Sequence, residues 1–213
     1  MMIIHELGNY SFNLAKGEHL HLVFFLKNLS GKLSASFYLA EGAKLQIEQI
    51  IIGGKTNCSL SYILDKSAQL EQNNALALSN DDSLNFSYFT NHAGESSQSN
   101  IKVIGSLDGH AQKQSELKIL FAKGATGAFG SEAEKITLLS NHTKNIAIPT
   151  IFSDESEAQG RHSFSSGHIS EDELNYLRSR GLASDKIKEI ITRGELLKIA
   201  KLTKSPEIIK EFE

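Results

Sequence analysis

The 213 residues carry 22 Lys and Arg against 25 Asp and Glu, a net charge of −3, with 40% hydrophobic and 22% charged content. That balance excludes the basic footprint of a nucleic-acid binder and a polybasic membrane anchor, and no apolar run approaches the ~20 residues needed to cross a bilayer. Cys58 is the one cysteine, which rules out an internal disulfide and any four-cysteine zinc or iron–sulfur site within a single chain.

The opening "MMIIHELGNY" has neither a basic n-region nor a long h-region, so the reading is a cytoplasmic protein without a signal peptide. From about Leu20 to Thr150 short apolar alternations suit strands of four to eight residues: "HLVFFLKNL", "KLSASFYLA", "KLQIEQIII", "SLSYIL", "LNFSYF", "IKVIGSL", "ELKILFA" and "KITLLS". Between them stand "EGA", "GGKTN", "DKSA", "NDDS", "DGHA" and "KGATG", the residue types of chain reversals. This part is all-β. A small residue recurs beside a turn at Ala43, Ala68, Ser83, Ala111 and Ala125, a loose repeat compatible with the stacked coils of a β-helix. Its spacing is uneven, and a sandwich is the default reading of this pattern alone.

After Gly167 the pattern becomes helical. Ser170 with Glu173 forms a capping box, Glu171 and Asp172 add negative charge at the helix start, and Gly181 supplies a left-handed stop. A second helix is predicted from about Asp185, capped by Ser184, with Ile187, Ile190, Ile191 and Leu197 along one side. Ser205-Pro206 starts a third. Three short helices cannot hide these side chains by themselves. Their apolar faces must rest on the β body or on another protein.

"SEDELNYLRSRGLASDKIKEIITRGEL" resembles the C-terminal segment of the SufB/SufD family, the SUF-system proteins of iron–sulfur cluster assembly, with "YLRSRG" its most specific part. In SufD-type members a His-Gly-Ala-Thr-Val-Gly run comes before it, and alignment on Gly167 and "YLRSRG" places His162 at the family histidine. "ITLLSNHTKNIAIPTIFSDESEAQGRHS" and "NHAGESSQSNIKVIGSLDGHA" are similar to two further family stretches, so the likeness runs from about Phe86 to Leu197. It implies a right-handed parallel β-helix core over residues 1–167 and a short α-helical C-terminal segment over 168–213. It also implies a pair of such cores, a dimer with itself or with another SufB/SufD-type chain, and a SufC-type ATPase docked on Leu174, Tyr176, Leu177, Arg178, Ile187 and Ile191. ATP-driven motion of that ATPase would pull on the helices. The chain departs from the family where Ser163-Phe164-Ser165-Ser166 replaces Gly-Ala-Thr-Val, and no cysteine lies between Leu120 and Arg161. It is therefore closer to SufD-type members.

Three residues are cluster or metal candidates. His162 either orders an exit loop or offers a neutral imidazole to iron, and because iron–sulfur chemistry favours thiolates it would share a transient iron–sulfur cluster with ligands of a partner chain. His92 has family support and is expected beside a turn, in solvent, like His142. Cys58, in "GGKTNCSLSY", is a strand residue, and a single strand cysteine usually serves as a small buried apolar group. The pair His19 and His21 shares a strand face and is set aside. "KGATGAFG" lacks the order of a phosphate loop. The expected function is a non-enzymatic assembly scaffold. Its alternatives are a structural paralogue without cluster chemistry and a β-helix enzyme acting on carbohydrate, for which the clustered aspartates amount to Asp81-Asp82 and little else.

Overall fold

Period-2 patterning sends every second side chain into one shared interior, and the computed structural model, which describes residues 1–213, shows how that interior is closed. One sheet holds seven strands in the order β1 (Met2–Ile4), β3 (His19–Lys27), β5 (Lys44–Ile52), β7 (Gln69–Leu78), β9 (Gln98–Leu107), β11 (Phe129–Leu138) and β13 (Gln159–His168). The facing sheet holds β12 (Lys144–Ser153), β10 (Gln112–Phe121), β8 (Ser83–His92), β6 (Lys55–Leu64), β4 (Ser30–Leu39) and β2 (Asn9–Leu14). Each step along the chain crosses from one sheet to the other, and neighbours within a sheet are parallel and in register. The result is a β-solenoid of about six turns. The sandwich that composition alone suggested is not formed.

One turn takes 25 residues where Leu45 pairs with Leu70 and 32 where Gln112 pairs with Lys144. The small-residue repeat looked uneven because it mixed corners. Ala43, Ala68, Ser97 and Ala128, all at most 1% exposed, mark the corner before β5, β7, β9 and β11, whereas Ala111 marks the opposite corner before β10. In-register stacking also aligns like side chains: Phe12, Phe37 and Tyr62 stack ring on ring at 5.1 Å per step.

Two segments outside the run assigned to strands from the sequence are strands as well. The first fourteen residues supply β1 and β2, the latter alternating as "NYSFNL", and the polar "QGRHSFSSGH" is β13. It belongs to the last turn, where no further coil demands apolar residues.

The tail comprises α1 (Glu171–Ser179), α2 (Ser184–Leu202) and α3 (Pro206–Lys210). The capping box at Ser170 and Glu173 forms as read, and Gly181 takes φ +85°. Ser184 does not cap α2. It is the first helical residue, and the extended Ala183 holds the cap position without a side-chain hydrogen bond. Helix α2 lies across β5, β7 and β9, with Leu196, Ile199 and Ala200, and Ile208 and Phe212 beyond it, packed on Val23, Phe25, Ile50 and Ala75. No helix is long and apolar enough to cross a membrane. Strand β13 ends at His168 and α1 begins at Glu171, so the expected division at 167/168 falls one residue inside the strand.

Gly54 gives a test of the tight coil stacking. Its φ is +86°, and a Cβ there would lie 2.0 Å from the Leu29 carbonyl oxygen of the neighbouring turn. Gly17, at φ +69°, has open space around it. Gly54→Ala should cost about 2 kcal/mol or more in urea unfolding and Gly17→Ala about 1 kcal/mol, the difference being the steric part.

Candidate functional site at the open end of the solenoid

Strands β12 and β13 form the last turn, and nothing stacks on them. Register assigns the inward side chains of β13 as Gly160, His162, Phe164 and Ser166, level with Gly130, Glu132, Glu134 and Ile136 of β11. On β12 they are Asn145, Ala147, Pro149 and Ile151, level with Lys113, Ser115, Leu117 and Ile119 of β10. Sequence reasoning set His162 at the end of the β body, beside the exit loop. It sits instead in mid-strand on the interior side, exposed only because the stack ends there, with its ring edge-on to Phe164 at 6.2 Å.

Beneath this turn the interior is ionic. The fully buried Lys113 ammonium donates to Glu134, to Ser115 Oγ (2.9 Å) and to Asn145 Oδ1 (3.1 Å), and lies 5.1 Å above the Phe86 ring. Ser115 Oγ donates in turn to the second Glu134 oxygen at 2.9 Å. Burial pulls the Lys113 pKa down, and Glu134 pushes back. Two residues earlier on the same strand face, Glu132 is 1% exposed and neither of its oxygens has a partner. Burial pushes its carboxyl up to about 8. Buried polar groups are nearly always paired, so Glu132 is the anomaly of this end.

The other candidates are not brought to His162. His92 is not solvated. It ends β8 on the inward side, 0% exposed, with Nδ1 2.8 Å from Ser97 Oγ and Nε2 2.9 Å from Ser99 Oγ. Ser97 donates its hydroxyl proton to the Gly94 carbonyl, so it accepts from Nδ1–H, and Nε2 accepts from Ser99. The ring stacks on Phe121 at 4.8 Å, and burial lowers its pKa to about 4. Both nitrogens are occupied, which leaves no lone pair for a metal. Cys58 points inward on β6, 3% exposed, its Sγ 3.8 Å from Gln49 Nε2, and burial pushes its thiol up to about 12. Ligation needs a thiolate, and this environment holds the thiol. Register carries Cys58 to Phe86, Ser115 and only then Ala147 of the last turn, so it lies three turns from the open end.

The residues expected to meet an ATPase divide. Tyr176 is 58% exposed, Arg178 is exposed, and Leu174, Leu177 and Ile191 are half-buried. Ile187 is 1% exposed, already inside its own molecule, and cannot line a docking face. A groove of about 710 Å³ runs between β13 and the first two helices, lined among others by Tyr176, Leu177, Ile190, Ile191, Glu195 and Lys198.

Sequence reasoning missed Lys113, Glu132 and Glu134. Their signal was legible in "FGSEAEKITL" and "QKQSELKILF", where charged residues occupy the positions that alternation reserves for the core.

The molecule is a parallel β-solenoid with one open, polar-lined end and a helical tail laid along its flank. Residues 26–195 match the family model described as SUF system FeS cluster assembly, SufBD core domain, and the chain belongs to that family. The match reaches some sixty residues further toward the N-terminus than the likeness read from motifs and gives the chain a role in SUF iron–sulfur cluster assembly. No curated protein matches the chain.

Glu132 should make stability pH-dependent. The unfolded carboxyl ionises near 4.5 while the buried one keeps its proton to about 8, so its stabilising contribution is complete below pH 4.5 and lost as pH rises to 8. The slope is at most about 1.4 kcal/mol per pH unit. Urea unfolding should show Glu132→Gln gaining on the wild type from pH 6 to pH 9. A constant difference would place the cost elsewhere.

Proposed function

We propose that this chain is a non-enzymatic, cytoplasmic scaffold of the SUF system that pairs through its last turn and docks a SufC-type ATPase through α1 and the outer side of α2. The observation that carries this reading is the uncovered turn itself. Ala147, Pro149, Ile151 and Phe164 face inward yet lack the coil that would bury them, and β12 and β13 are ten-residue edge strands. Such edges are templates for another chain unless blunted. A second SufB/SufD-type core, or a second copy of this one, has the shape to cover them.

The iron–sulfur cluster is cargo in this reading, assembled where the two cores meet. His162 faces that junction. The chain brings no thiolate there, since Cys58 is buried far below, so thiolate sulfur would have to come from the partner or the sulfur supply.

The tail supports the second half of the reading. Its distal part is anchored by Leu196, Ile199, Ile208 and Phe212, whereas α1 buries no residue and presents Tyr176 and Arg178. A segment held at one end and bare at the other is suited to transmit a pull.

Co-purification with the SUF-system ATPase and the companion core is the direct test. Tyr176→Asp combined with Leu177→Asp should lower ATPase capture at least about tenfold, the loss expected when anchors of an interface are removed, without moving the unfolding midpoint. Phe164→Asp should release the companion core in sedimentation while the ATPase stays bound. Ile187→Asp should instead lower stability, because it buries a charge. Full ATPase capture by the double variant would overturn the docking assignment.

A further inference from the structure

The two outer faces of the solenoid differ in cover. On the seven-stranded sheet α2 and α3 bury Phe25, Ile50 and Ala75. The six-stranded sheet carries no packed helix, and five large apolar side chains of its outer face stand in solvent: Tyr38 (41% exposed), Ile63 (43%), Phe89 (36%), Ile148 (41%) and Phe152 (55%). Parallel strands normally have both faces covered, and clustered exposed apolar groups mark interaction sites. Register gathers these side chains at one margin. Tyr38, Ile63, Leu120 and Phe152 fall on one line across β4, β6, β10 and β12, with Asn91 of β8 between them and Phe89 two residues before it.

The opposite margin is basic. The outward side chains of this sheet include Lys32, Lys55, Lys118 and Lys144 against one acid, Glu116, which Lys118 pairs at 3.0 Å. The other three lysines enter no salt bridge, on a chain whose net charge is −3. Asp82, just before this face begins on β8, is occupied at the corner by the N–H groups of Gly54 (2.9 Å) and Ser79 (2.8 Å). Between the margins runs a trough of about 510 Å³, with Lys32, Asn57 and Asn85 on its basic side and Ser34, Ser59 and Ser87 as its floor. Tyr38 stands six positions after Lys32 on β4, roughly 20 Å at the strand rise. That leaves room for an α-helix about 10–12 Å wide.

We propose that this face is a docking surface for an amphipathic α-helix of a partner protein, with carboxylates along one side meeting Lys32 and Lys55 and apolar side chains along the other meeting Tyr38 and Ile63. Charge complementarity selects that occupant. A second copy of this chain fits poorly, because a two-fold axis along the strands lays lysines on lysines and one along the solenoid axis lays the apolar row on lysines. A bilayer is flat and leaves the trough empty. At the apolar margin Tyr38 donates to Asp65 at 3.3 Å, and that acid turns the carboxylates of a bound helix toward the lysines. The molecule already uses the same packing on its other side, where α2 crosses β5, β7 and β9. This surface is separate from the one proposed for core pairing, since β6 and β4 lie three and four strands away from β12.

The probe is a synthetic, fluorescently labelled helix of about 18 residues, roughly 27 Å long, with glutamates along one side and leucines along the adjoining side. Fluorescence anisotropy with the full chain should show saturable binding that weakens as NaCl rises, because the lysines are exposed. Lys32→Glu combined with Lys55→Glu, and separately Ile63→Ser, should each weaken it at least about tenfold. These are exposed positions, and an unmoved urea midpoint certifies the fold. The same helix with lysines in place of glutamates should not bind. No saturable binding by the wild type, wild-type affinity in either variant, or equal affinity for the basic helix overturns the docking surface. Self-association in sedimentation, or pelleting with phosphatidylserine vesicles, that Ile63→Ser abolishes gives the face to a second copy or to a membrane and overturns it as well. ATPase and companion-core capture by the double lysine variant should match the wild type. A loss confined to that variant would make the face part of the pairing interface, whereas no capture by the wild type sinks the scaffold reading and leaves the anisotropy result standing.

Discussion

Parallel, in-register stacking of one turn on the next is the constraint from which the rest of this molecule follows. A turn buries its inward residues only if the next turn lies on top of it, and its backbone groups are paired only by the same neighbour. The interior is therefore closed along its length and open at its ends. In the middle, Phe37 and Tyr62 vanish under their neighbours. At the end, His162 and Phe164 hold the same kind of position and meet solvent instead.

The character of the interior changes along the axis to match. Its middle turns hold a network of neutral polar side chains. Tyr62 donates to Gln72 Oε1 at 2.6 Å, Gln72 Nε2 donates to Asn74 Oδ1 at 2.8 Å, and Asn74 Nδ2 donates to the Lys102 carbonyl at 2.8 Å. The amides are neutral, so burial is repaid by hydrogen bonding alone. Toward the open end the polar groups become charged. Lys113 and Glu134 satisfy each other, and Glu132 is left over. The middle is not wholly satisfied, since Thr90 Oγ1 on β8 also lacks a partner, but the unpartnered buried carboxylate on an inward strand face lies at the open end.

The tail is fixed by the same logic applied to the outer face of the seven-stranded sheet. Val23, Phe25, Ile50 and Ala75 make the outward side of early turns apolar, and α2 and α3 cover them. Later turns present polar atoms to α2. Ser106 meets Thr192 at 2.8 Å, Asp108 meets Lys188 at 2.7 Å, and Thr137 donates to Glu195 at 2.8 Å. Apolar burial and part-buried polar contacts differ in strength. The grip of the tail is thus strongest at the end of the molecule remote from His162 and weakest beside it, where α1 stands clear.

Much of this was legible in the residues. Alternation located the strands, Ser170, Glu173 and Gly181 bounded the first helix, and "YLRSRG" carried the family. Local chemistry decided those features, because a strand face or a helix cap is made by residues a few positions apart. What lay beyond the sequence was which residues stack. The uneven alanine spacing became regular only when the two corners were separated in space, and "QGRHSFSSGH" became a strand only because a turn beneath it supplied hydrogen bonds. His92 changed from a solvated turn residue to a buried one through Ser97, Ser99 and Phe121. Glu132 sits thirty residues before His162 in the chain and directly beneath it in the fold. Sequence determined which side chains face inward. Tertiary structure alone decided which inward faces are covered, because cover comes from a neighbouring turn some 25 to 32 residues away.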